Sequence, residues 1–268
     1  MNILVLHGSM RKGNTYSLTK EIIDRLAAKP DVSITEISVA EIGLPFCTSC
    51  HLCLSKGEEY CSHDKILQDV RAALMDCDGL ILCGTTYIRS LNASMKNFMD
   101  HFAYIFHRPS LFGKIGMVIA TSAGVGEKKV AKYIKNVMGQ WGINGAIIVT
   151  RNTKEARLQS VKGEPPPKVK KKYDNAADRF YNNIKSKRLA SPALGNLVVH
   201  NAFRATSLSD YSESERDKEF WSKEGFSDKA YPIKIGGLKY LIGSIMYGAI
   251  KKATDIVGKS YTKKQGTE

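Results

Sequence analysis

The chain lacks any long hydrophobic run. None of the apolar stretches in its 268 residues approaches the roughly 20 residues that a membrane-spanning helix needs. The first residues, Met1-Asn2-Ile3-Leu4-Val5, carry no basic region before the apolar run, and no small-residue cleavage site follows, so we expect no signal peptide. We therefore expect a cytoplasmic protein, where cysteines bind metals or act in catalysis more often than they form disulfides.

Acidic residues are scarce relative to basic ones. The chain has 26 Asp and Glu against 40 Lys and Arg, and residues 151–200 hold 12 of the basic residues but only 4 of the acidic ones. We interpret this stretch, with Pro165-Pro166-Pro167 and the lysines after it, as a solvated linker and helix start. An anionic membrane surface or an acidic redox partner is the alternative. No recognised nucleic-acid-binding motif accompanies the charge, so we expect no nucleic-acid partner.

Short apolar runs alternate with helical patterns over the first 150 residues. The runs predict five strands, at 3–6, 32–39, 79–83, 115–120 and 146–150. Apolar residues at helical spacing predict helices from residue 16, over 65–76, around 95–102 and around 130–138. Such alternation is typical of a parallel sheet covered by helices on both faces. We therefore predict an α/β protein with a flavodoxin-like, doubly wound, five-stranded parallel sheet.

The remainder of the chain differs in character. Residues 152–170 are polar and proline-rich, and a helix at about 173–187 is expected to complete a domain spanning residues 1–190. Residues 191–268 form a C-terminal helical extension that ends in an amphipathic stripe of Leu238, Leu241, Ile242, Ile245, Met246, Ala249, Ile250 and Ala253. We expect this stripe to dock on the core or on another subunit, and a membrane surface is the alternative.

A candidate phosphate-binding loop follows the first strand directly. It reads Gly8-Ser9-Met10-Arg11-Lys12-Gly13-Asn14-Thr15. A strand that runs into small and hydroxylated residues and then a helix presents backbone N–H groups to an anion. Asn14 replaces the lysine of a triphosphate-binding loop, and no G-x-G-x-x-G is present, which favours a monophosphate. The alternative is an ordinary polar turn that caps a helix.

Four cysteines lie within fifteen residues, with the spacing C-x2-C-x2-C-x7-C. They are Cys47, Cys50, Cys53 and Cys61. Three cysteines at successive x2 spacing with a fourth nearby predict ligands for a [4Fe–4S] cluster. The alternatives are a zinc site that uses His51 or His63, and a redox dithiol. Cys77 and Cys83 lie in or beside a predicted strand, and we expect them to be small core side chains.

Three blocks in the first 150 residues resemble the NADPH-dependent FMN reductase family. The run Gly8–Thr15 resembles that family's flavin phosphate loop. Gly84-Thr85-Thr86-Tyr87, followed by the helix after it, is similar to the second flavin loop, and Thr121–Gly126 stands where the family has its third. Within the family, the four-cysteine run resembles the iron–sulfur flavoproteins. The resemblance extends in consistent order over residues 1 to about 150.

The resemblance implies an FMN site at the carboxyl end of the sheet. The implied contacts are Ser9, Arg11, Asn14, Thr15, Thr85, Thr86, Tyr87, Ile88, Thr121, Ser122, Gly124 and Gly126. The chain departs from the family where Thr85-Thr86 replaces Pro-Val and where Arg89 replaces a small residue. Arg89 is therefore a candidate contact for an anionic substrate or NADPH. We find no acid–base pair, in keeping with flavin chemistry, where the cofactor performs the difficult step.

These expectations together predict an FMN-dependent oxidoreductase. It would pass electrons between NAD(P)H, or a ferredoxin-like donor, and a small-molecule or protein acceptor, through a [4Fe–4S] cluster. One alternative is a cluster-free NAD(P)H reductase of quinones or nitro compounds, and another is a non-enzymatic redox module associated with a membrane. The resemblance also implies a homo-oligomer, a dimer or larger.

Overall fold

A parallel sheet forms the centre of the protein. The computed structural model describes residues 1–153, 167–212 and 214–265, without the side chains of 261–265. The strands are β1 (Asn2–His7), β2 (Ser33–Ser38), β3 (Gly79–Tyr87), β4 (Ser90–Leu91), β5 (Ile115–Ser122) and β6 (Ile147–Asn152). Five of them run parallel in the order β2-β1-β3-β5-β6, which is the flavodoxin order. The five predicted strands are confirmed. β4 pairs antiparallel with β3 and was not predicted, because two residues are too short to show a period.

Helices connect the strands and continue beyond the sheet. They are α1 (Asn14–Ala27), α2 (Leu52–Ser55), α3 (Asp64–Asp76), α4 (Ala93–His101), α5 (Ala103–His107), α6 (Glu127–Gln140), α7 (Pro167–Lys185), α8 (Leu194–Ser207), α9 (Glu215–Trp221) and α10 (Gly237–Gln265). The cysteine segment, for which no helix or strand was predicted, contains the single turn α2 and a 3-10 turn at Glu58–Tyr60. Most of the proposed linker 152–170 lies outside the described residues.

Alternate residues of each strand enter two separate apolar cores. On one face, Leu4, Leu80 and Val118 meet α3, α4 and α6. On the other face, strand residues such as Val5 and Met117 meet α1 and α7. Side chains of a strand point alternately to opposite faces, so helices on both sides bury most residues of the central strands β1, β3 and β5, whose runs are mainly apolar. The edge strand β2 is more exposed, and its apolar residues are interspersed with polar ones. Cys77 and Cys83 are buried, which confirms the prediction that they are core side chains.

The C-terminal extension packs on α6 and on itself. The Gln140 side chain on α6 donates to Asn196 Oδ1 on α8 at 2.9 Å. Asn201 on α8 donates to the Ala230 carbonyl at 2.9 Å, and α10 then packs along α8. These contacts join the extension to the same side of the sheet as α6.

The long helix α10 is apolar on two faces. Its inner face, which includes the buried Gly243, contacts α8. On its outer face, Leu238, Leu241, Ile245 and Ile256 are each more than half exposed. α10 therefore packs on α8 of the extension through one face, and docking of its exposed apolar side chains on another subunit stays a prediction. Within residues 1–153, 167–212 and 214–265, none of the helices combines the length and the apolar character that crossing a bilayer requires.

Candidate functional site

The three predicted flavin loops meet at the carboxyl edge of the sheet. β1, β3 and β5 are neighbours, so the segments that follow them leave the sheet side by side. The Thr15 hydroxyl lies 2.8 Å from that of Thr85 and 2.6 Å from that of Thr121. Thr85 and Thr121 are also paired in the register of β3 and β5. Hydrogen bonds among three hydroxyls therefore tie together residues that the sequence places in three separate motifs.

The first loop is a tight turn that runs into α1. Ser9 Oγ donates to the Arg11 carbonyl at 2.8 Å, and the Gly13 N–H donates to the same carbonyl at 2.8 Å. Helix α1 begins at Asn14, and no side chain caps its first turn. Arg11 and Asn14 are exposed at this turn. An uncapped helix start beside an exposed guanidinium is the arrangement that attracts a phosphate.

Two side chains that sequence reasoning did not single out hold the first loop in place. Ser94 Oγ donates to the Gly8 carbonyl at 2.6 Å, and the Asn92 amide donates to the same carbonyl. Asn92 Oδ1 in turn accepts from the Thr85 N–H at 3.0 Å, so this side chain joins the first and second loops. Gly8 itself leaves no room for a Cβ, which would lie 2.7 Å from Met95 Cβ. Asn92 lies just before α4, where it reads as an ordinary helix cap, so its sequence position alone did not reveal this role.

The second loop is the turn between β3 and β4. Ile88 and Arg89 both have positive φ angles, of 46° and 59°, and Ile88 is 99% exposed. A positive φ is unusual for a β-branched residue and is found where the surrounding structure imposes it, often at ligand sites. Thr86 Oγ1 is buried and has no hydrogen-bond partner among the described residues. A ligand at this edge would supply the missing partner.

The third loop follows β5 and turns into α6. Ser122 Oγ donates to the buried Glu127 carboxylate at 2.5 Å, and the Asn152 amide donates to the Gly124 carbonyl. Gly126 has a φ of 107°, and a Cβ there would lie 3.0 Å from Thr86 Cγ2. Glycine is therefore required where the second and third loops approach each other.

These loops fit an FMN at the sheet edge. Basic and hydroxyl groups meet at the uncapped helix start, as a phosphate requires. On the strand β3, the buried Thr86 hydroxyl has no hydrogen-bond partner among the described residues. All twelve predicted contacts lie on the three loops or their adjoining strand and helix ends. Tyr87 is about half exposed, so it is accessible to a ring system rather than part of the core.

The four cysteines line one cavity. It measures ≈ 340 Å³, and α4 supplies its far wall through Lys96, Asp100 and His101. Cys47 and Cys50 are exposed, whereas Cys53 and Cys61 are partly buried, and none is in a disulfide. Ser49 and His51, between the cysteines, have left-handed φ angles of 53° and 58°. Such angles in non-glycine residues indicate a loop held in a specific shape.

The thiols of this cavity influence one another. Burial, together with the smaller influence of the neighbouring Cys61, Cys47 and Cys50, raises the pKa of the Cys53 thiol to about 11, although Arg108 acts in the opposite direction. A group of thiols that disfavour each other's ionisation is suited to a bound cation, which stabilises thiolates and displaces their protons.

Two histidines adjoin the fourth cysteine. Cys61 Sγ and nitrogens of His63 and His101 lie within 4.8 Å of one another, a grouping of ligand atoms that no other described residues form. His63 Nδ1 is 2.9 Å from His101 Nε2, and His101 Nδ1 is 2.9 Å from the Asn97 carbonyl. Burial lowers the pKa of His101, and His63 lowers it further, against the Asn97 carbonyl, which raises it. The zinc alternative therefore gains a ligand, His101, that the local cysteine pattern did not reveal.

The comparisons with known proteins agree with this architecture. The family model described as NADPH-dependent FMN reductase matches residues 1–154. A protein named iron-sulfur flavoprotein from Archaeoglobus fulgidus is 27% identical over 229 residues, covering 84% of this chain and all of that protein. A second iron-sulfur flavoprotein, from Methanocaldococcus jannaschii, is 27% identical over 124 residues, covering 46% of this chain and 63% of its own length.

Solved structures show the same fold. An NADH:FMN oxidoreductase in its apo form aligns with a TM-score of 0.51 at 22% identity, covering 71% of this chain and 90% of the other. The flavoenzyme FerB, an NAD(P)H:(acceptor) oxidoreductase from Paracoccus denitrificans, aligns with a TM-score of 0.51 at 19% identity, covering 69% and 98%. Because the family model covers more than half of the sequence, the chain belongs to the NADPH-dependent FMN reductase family of flavodoxin-like oxidoreductases.

Proposed function

We propose that this FMN-dependent oxidoreductase relays electrons between FMN at the sheet edge and a [4Fe–4S] cluster held by the four cysteines. The observation that carries the proposal is the double role of α4. Ser94 on this helix binds the phosphate loop at Gly8, while Asn97 accepts from the Cys47 N–H at 3.0 Å. Three residues of α-helix rise about 4.5 Å. One short helix therefore contacts both the flavin loops and the cysteine loop.

In the flavin site, each loop has a distinct task. Arg11 and the start of α1 would bind the phosphate, with Ser9, Asn14 and Thr15 adding directed hydrogen bonds. Thr86, Tyr87 and Ile88 would contact one side of the ring, and the backbone of Gly124 and Gly126 the other. FMN, when bound, supplies the exchange between two-electron and one-electron steps. The protein residues would bind it and fix its orientation.

In the cysteine site, the ligands would be Cys47, Cys50, Cys53 and Cys61. Thiolates select iron–sulfur clusters, zinc or copper(I) over hard cations. Relatives of this chain are named iron-sulfur flavoproteins, and the one from Archaeoglobus fulgidus aligns over its whole length. All four cysteines line the same cavity, so their thiolates can serve one bound group.

NAD(P)H is the co-substrate that family membership implies. We propose that Arg89, exposed in the β3–β4 turn, binds an anionic group of this or another substrate. A ferredoxin-like protein is the alternative electron donor, and the acceptor is a small molecule or a protein.

Anaerobic purification with metal analysis tests the relay. We expect FMN together with iron and acid-labile sulfide, and visible absorbance from both groups that bleaches with reductant. FMN without iron, with NAD(P)H-dependent reduction of quinones or nitro compounds intact, would instead establish the cluster-free reductase. Zinc in place of iron, lost in His101→Ala, would assign the site to Cys61, His63 and His101.

A further inference from the structure

The carbonyls of α2 need partners from outside the helix. α2 has four residues, and the last carbonyls of any helix lack partners within it. The Leu52 carbonyl accepts from the Lys56 and Gly57 N–H groups. The Cys53 and Leu54 carbonyls are satisfied by side chains instead. The shape of the loop that presents Cys53 therefore depends on residues far away in the sequence.

Arg108, at the end of α5, supplies most of these bonds. Its Nη2 donates to the Cys53 carbonyl at 2.6 Å, and its Nη1 donates to the Leu54 carbonyl at 3.2 Å. The side chain is only 6% exposed, and it pairs with Asp217 and, at 3.3 Å, with Glu58. A buried guanidinium requires such compensation, because an unpaired buried charge is strongly destabilising.

The compensating carboxylate comes from the C-terminal extension. Asp217 on α9 accepts from Arg108 Nη1 and lies 3.1 Å from His107 Nδ1. Burial by itself would raise the pKa of Asp217, but hydrogen bonds from His107 and Arg108 outweigh it and hold that pKa below its usual value. Ser214 Oγ caps α9 through the Asp217 N–H at 3.1 Å and donates to the Leu54 carbonyl at 3.0 Å.

A further contact, at the other end of α9, fixes this helix in position. Trp221 is fully buried, and its Nε1 donates to the His107 carbonyl at 3.1 Å. α9 is therefore joined at both ends to the segment that carries Arg108. A continuous chain of buried hydrogen bonds therefore links the Cys53 carbonyl, through Arg108, to Asp217 in the C-terminal extension.

We propose that Ser214 and Asp217 are positioning residues for the metal group of the cysteine loop, so that the C-terminal extension completes this site. The inference rests on the proposed cluster for its functional meaning, but the loop geometry that carries it is independent of which metal group is bound. Asp217 orients the guanidinium fork of Arg108, and the fork together with Ser214 holds the Cys53 and Leu54 carbonyls. Cys53 is thereby kept facing the cavity shared with Cys47, Cys50 and Cys61.

The test uses the full-length chain with Asp217→Asn, which retains the α9 cap, and Ser214→Ala, which retains the ion pair. Glu219→Gln is the matched control, because Glu219 lies on the same helix in an exposed pair with Arg216. Two quantities are measured: iron and sulfide per FMN after anaerobic reconstitution, and the rate of Cys53 alkylation by iodoacetamide in metal-free protein. Cys77, buried at the end of α3, serves as an internal reference for global opening.

We expect both variants to lose iron and sulfide relative to FMN, and Cys53 to be alkylated about fivefold faster, as expected from the loss of one hydrogen bond. In both variants, the rate of Cys77 alkylation and the FMN content should equal those of wild type. The control Glu219→Gln should match wild type in every one of these measurements. Unchanged Cys53 alkylation in both variants, or equal rises at Cys53 and Cys77, would overturn the inference. If Asp217→Asn does not fold, Ser214→Ala decides by the same two outcomes. Absence of iron from the wild-type protein would refute the cluster, while Cys53 alkylation would still decide the positioning role.

Discussion

At the scale of single residues, the candidate site is built from short polar side chains that form hydrogen bonds with one another and with the loop backbone. Thr15, Thr85 and Thr121 share hydrogen bonds across three loops, and Asn92 links two of those loops through backbone groups. Buried polar groups of this kind are costly unless each finds a partner. In the part of the chain that the structure describes, the buried Thr86 Oγ1 at this edge has no hydrogen-bond partner, so we expect a ligand group to supply one.

Arg11 offers a direct test of the phosphate loop. Arg11→Ala should weaken FMN binding by about 10- to 100-fold, because hydrogen bonds to charged groups contribute about 1.5–3 kcal/mol. Fluorescence titration of the apoprotein with FMN measures the change. Lys20→Ala is the control, since Lys20 lies on α1 in an exposed pair with Asp24. Equal affinity of Arg11→Ala and wild type would contradict the assignment of this loop to the phosphate.

His200 should make the extension sensitive to acid. Burial, with a smaller contribution from Arg204, lowers the pKa of this histidine to about 3, and its Nε2 has no partner among the described residues. The folded state therefore holds it neutral, whereas the unfolded chain takes up a proton near pH 6.5. The free energy of unfolding is therefore largest above pH 6.5, and it decreases as the pH falls from there toward 3. By pH 5 the loss should reach about 2 kcal/mol.

Urea unfolding at pH 7.5 and pH 5 measures this loss. Because glutamine does not titrate, the free energy of unfolding of His200→Gln should change less between pH 7.5 and pH 5 than that of wild type. An equal change in the two proteins would assign the acid sensitivity to other groups.

At the scale of elements, α10 shows how one helix meets two environments. Its inner face packs on α8 and on residues before α9, whereas its outer face carries exposed Leu and Ile side chains. Two of its glycines differ accordingly. A Cβ at Gly258 would lie 2.2 Å from Tyr211 Cγ, while a Cβ at Gly248 would meet nothing within 4 Å.

Alanine substitutions at these two positions should act in opposite directions. Gly248→Ala should stabilise the protein by about 1 kcal/mol, because alanine favours helix and no neighbour is displaced. Gly258→Ala should destabilise it by about 1–3 kcal/mol, because the Tyr211 ring must move. Thermal unfolding of the two variants beside wild type provides the comparison. Equal melting temperatures for the two variants would show that α10 does not dock through Gly258.

At the scale of the whole molecule, the extension is both part of the cysteine site and the bearer of an exposed apolar surface. Soluble monomers rarely leave contiguous apolar patches uncovered. The outer row of α10 (Leu238, Leu241, Ile245 and Ile256) is therefore expected to be covered when the protein is assembled.

We expect the protein to form a homo-oligomer through this row. Light scattering should give a mass above the 29.7 kDa of one chain for wild type. The double variant Leu241→Glu with Ile245→Glu should return it to one chain, because burying two carboxylates opposes association. Met75→Glu, exposed on α3, is the control. A monomeric wild type that pellets with anionic vesicles, and a double variant that does not, would assign the row to a membrane surface instead.

The local sequence determined the elements and the order of the motifs. Continuous apolar runs marked five buried strands and helical spacing marked the covering helices, because both signals come from residues a few positions apart. The phosphate loop followed from the small and hydroxylated residues after the first strand, whereas its assignment to a flavin and the positions of the second and third loops came from the resemblance to the FMN reductase family. β4, α2 and α5 were missed, since two to five residues carry too little periodicity. α8 and α9 were predicted only as unspecified parts of a helical extension.

Only the tertiary structure decided which distant side chains complete the sites. Ser94 binds Gly8 across 86 residues, His63 meets His101 across 38, and Arg108 pairs with Asp217 across 109. No local sequence pattern predicts such pairs, because the two residues come into contact only when the sheet and the extension are folded. The sequence by itself therefore determined a flavin-type fold with a cysteine loop. Packing decided that α4 contacts both the flavin loops and the cysteine loop, and that the extension holds the loop in shape.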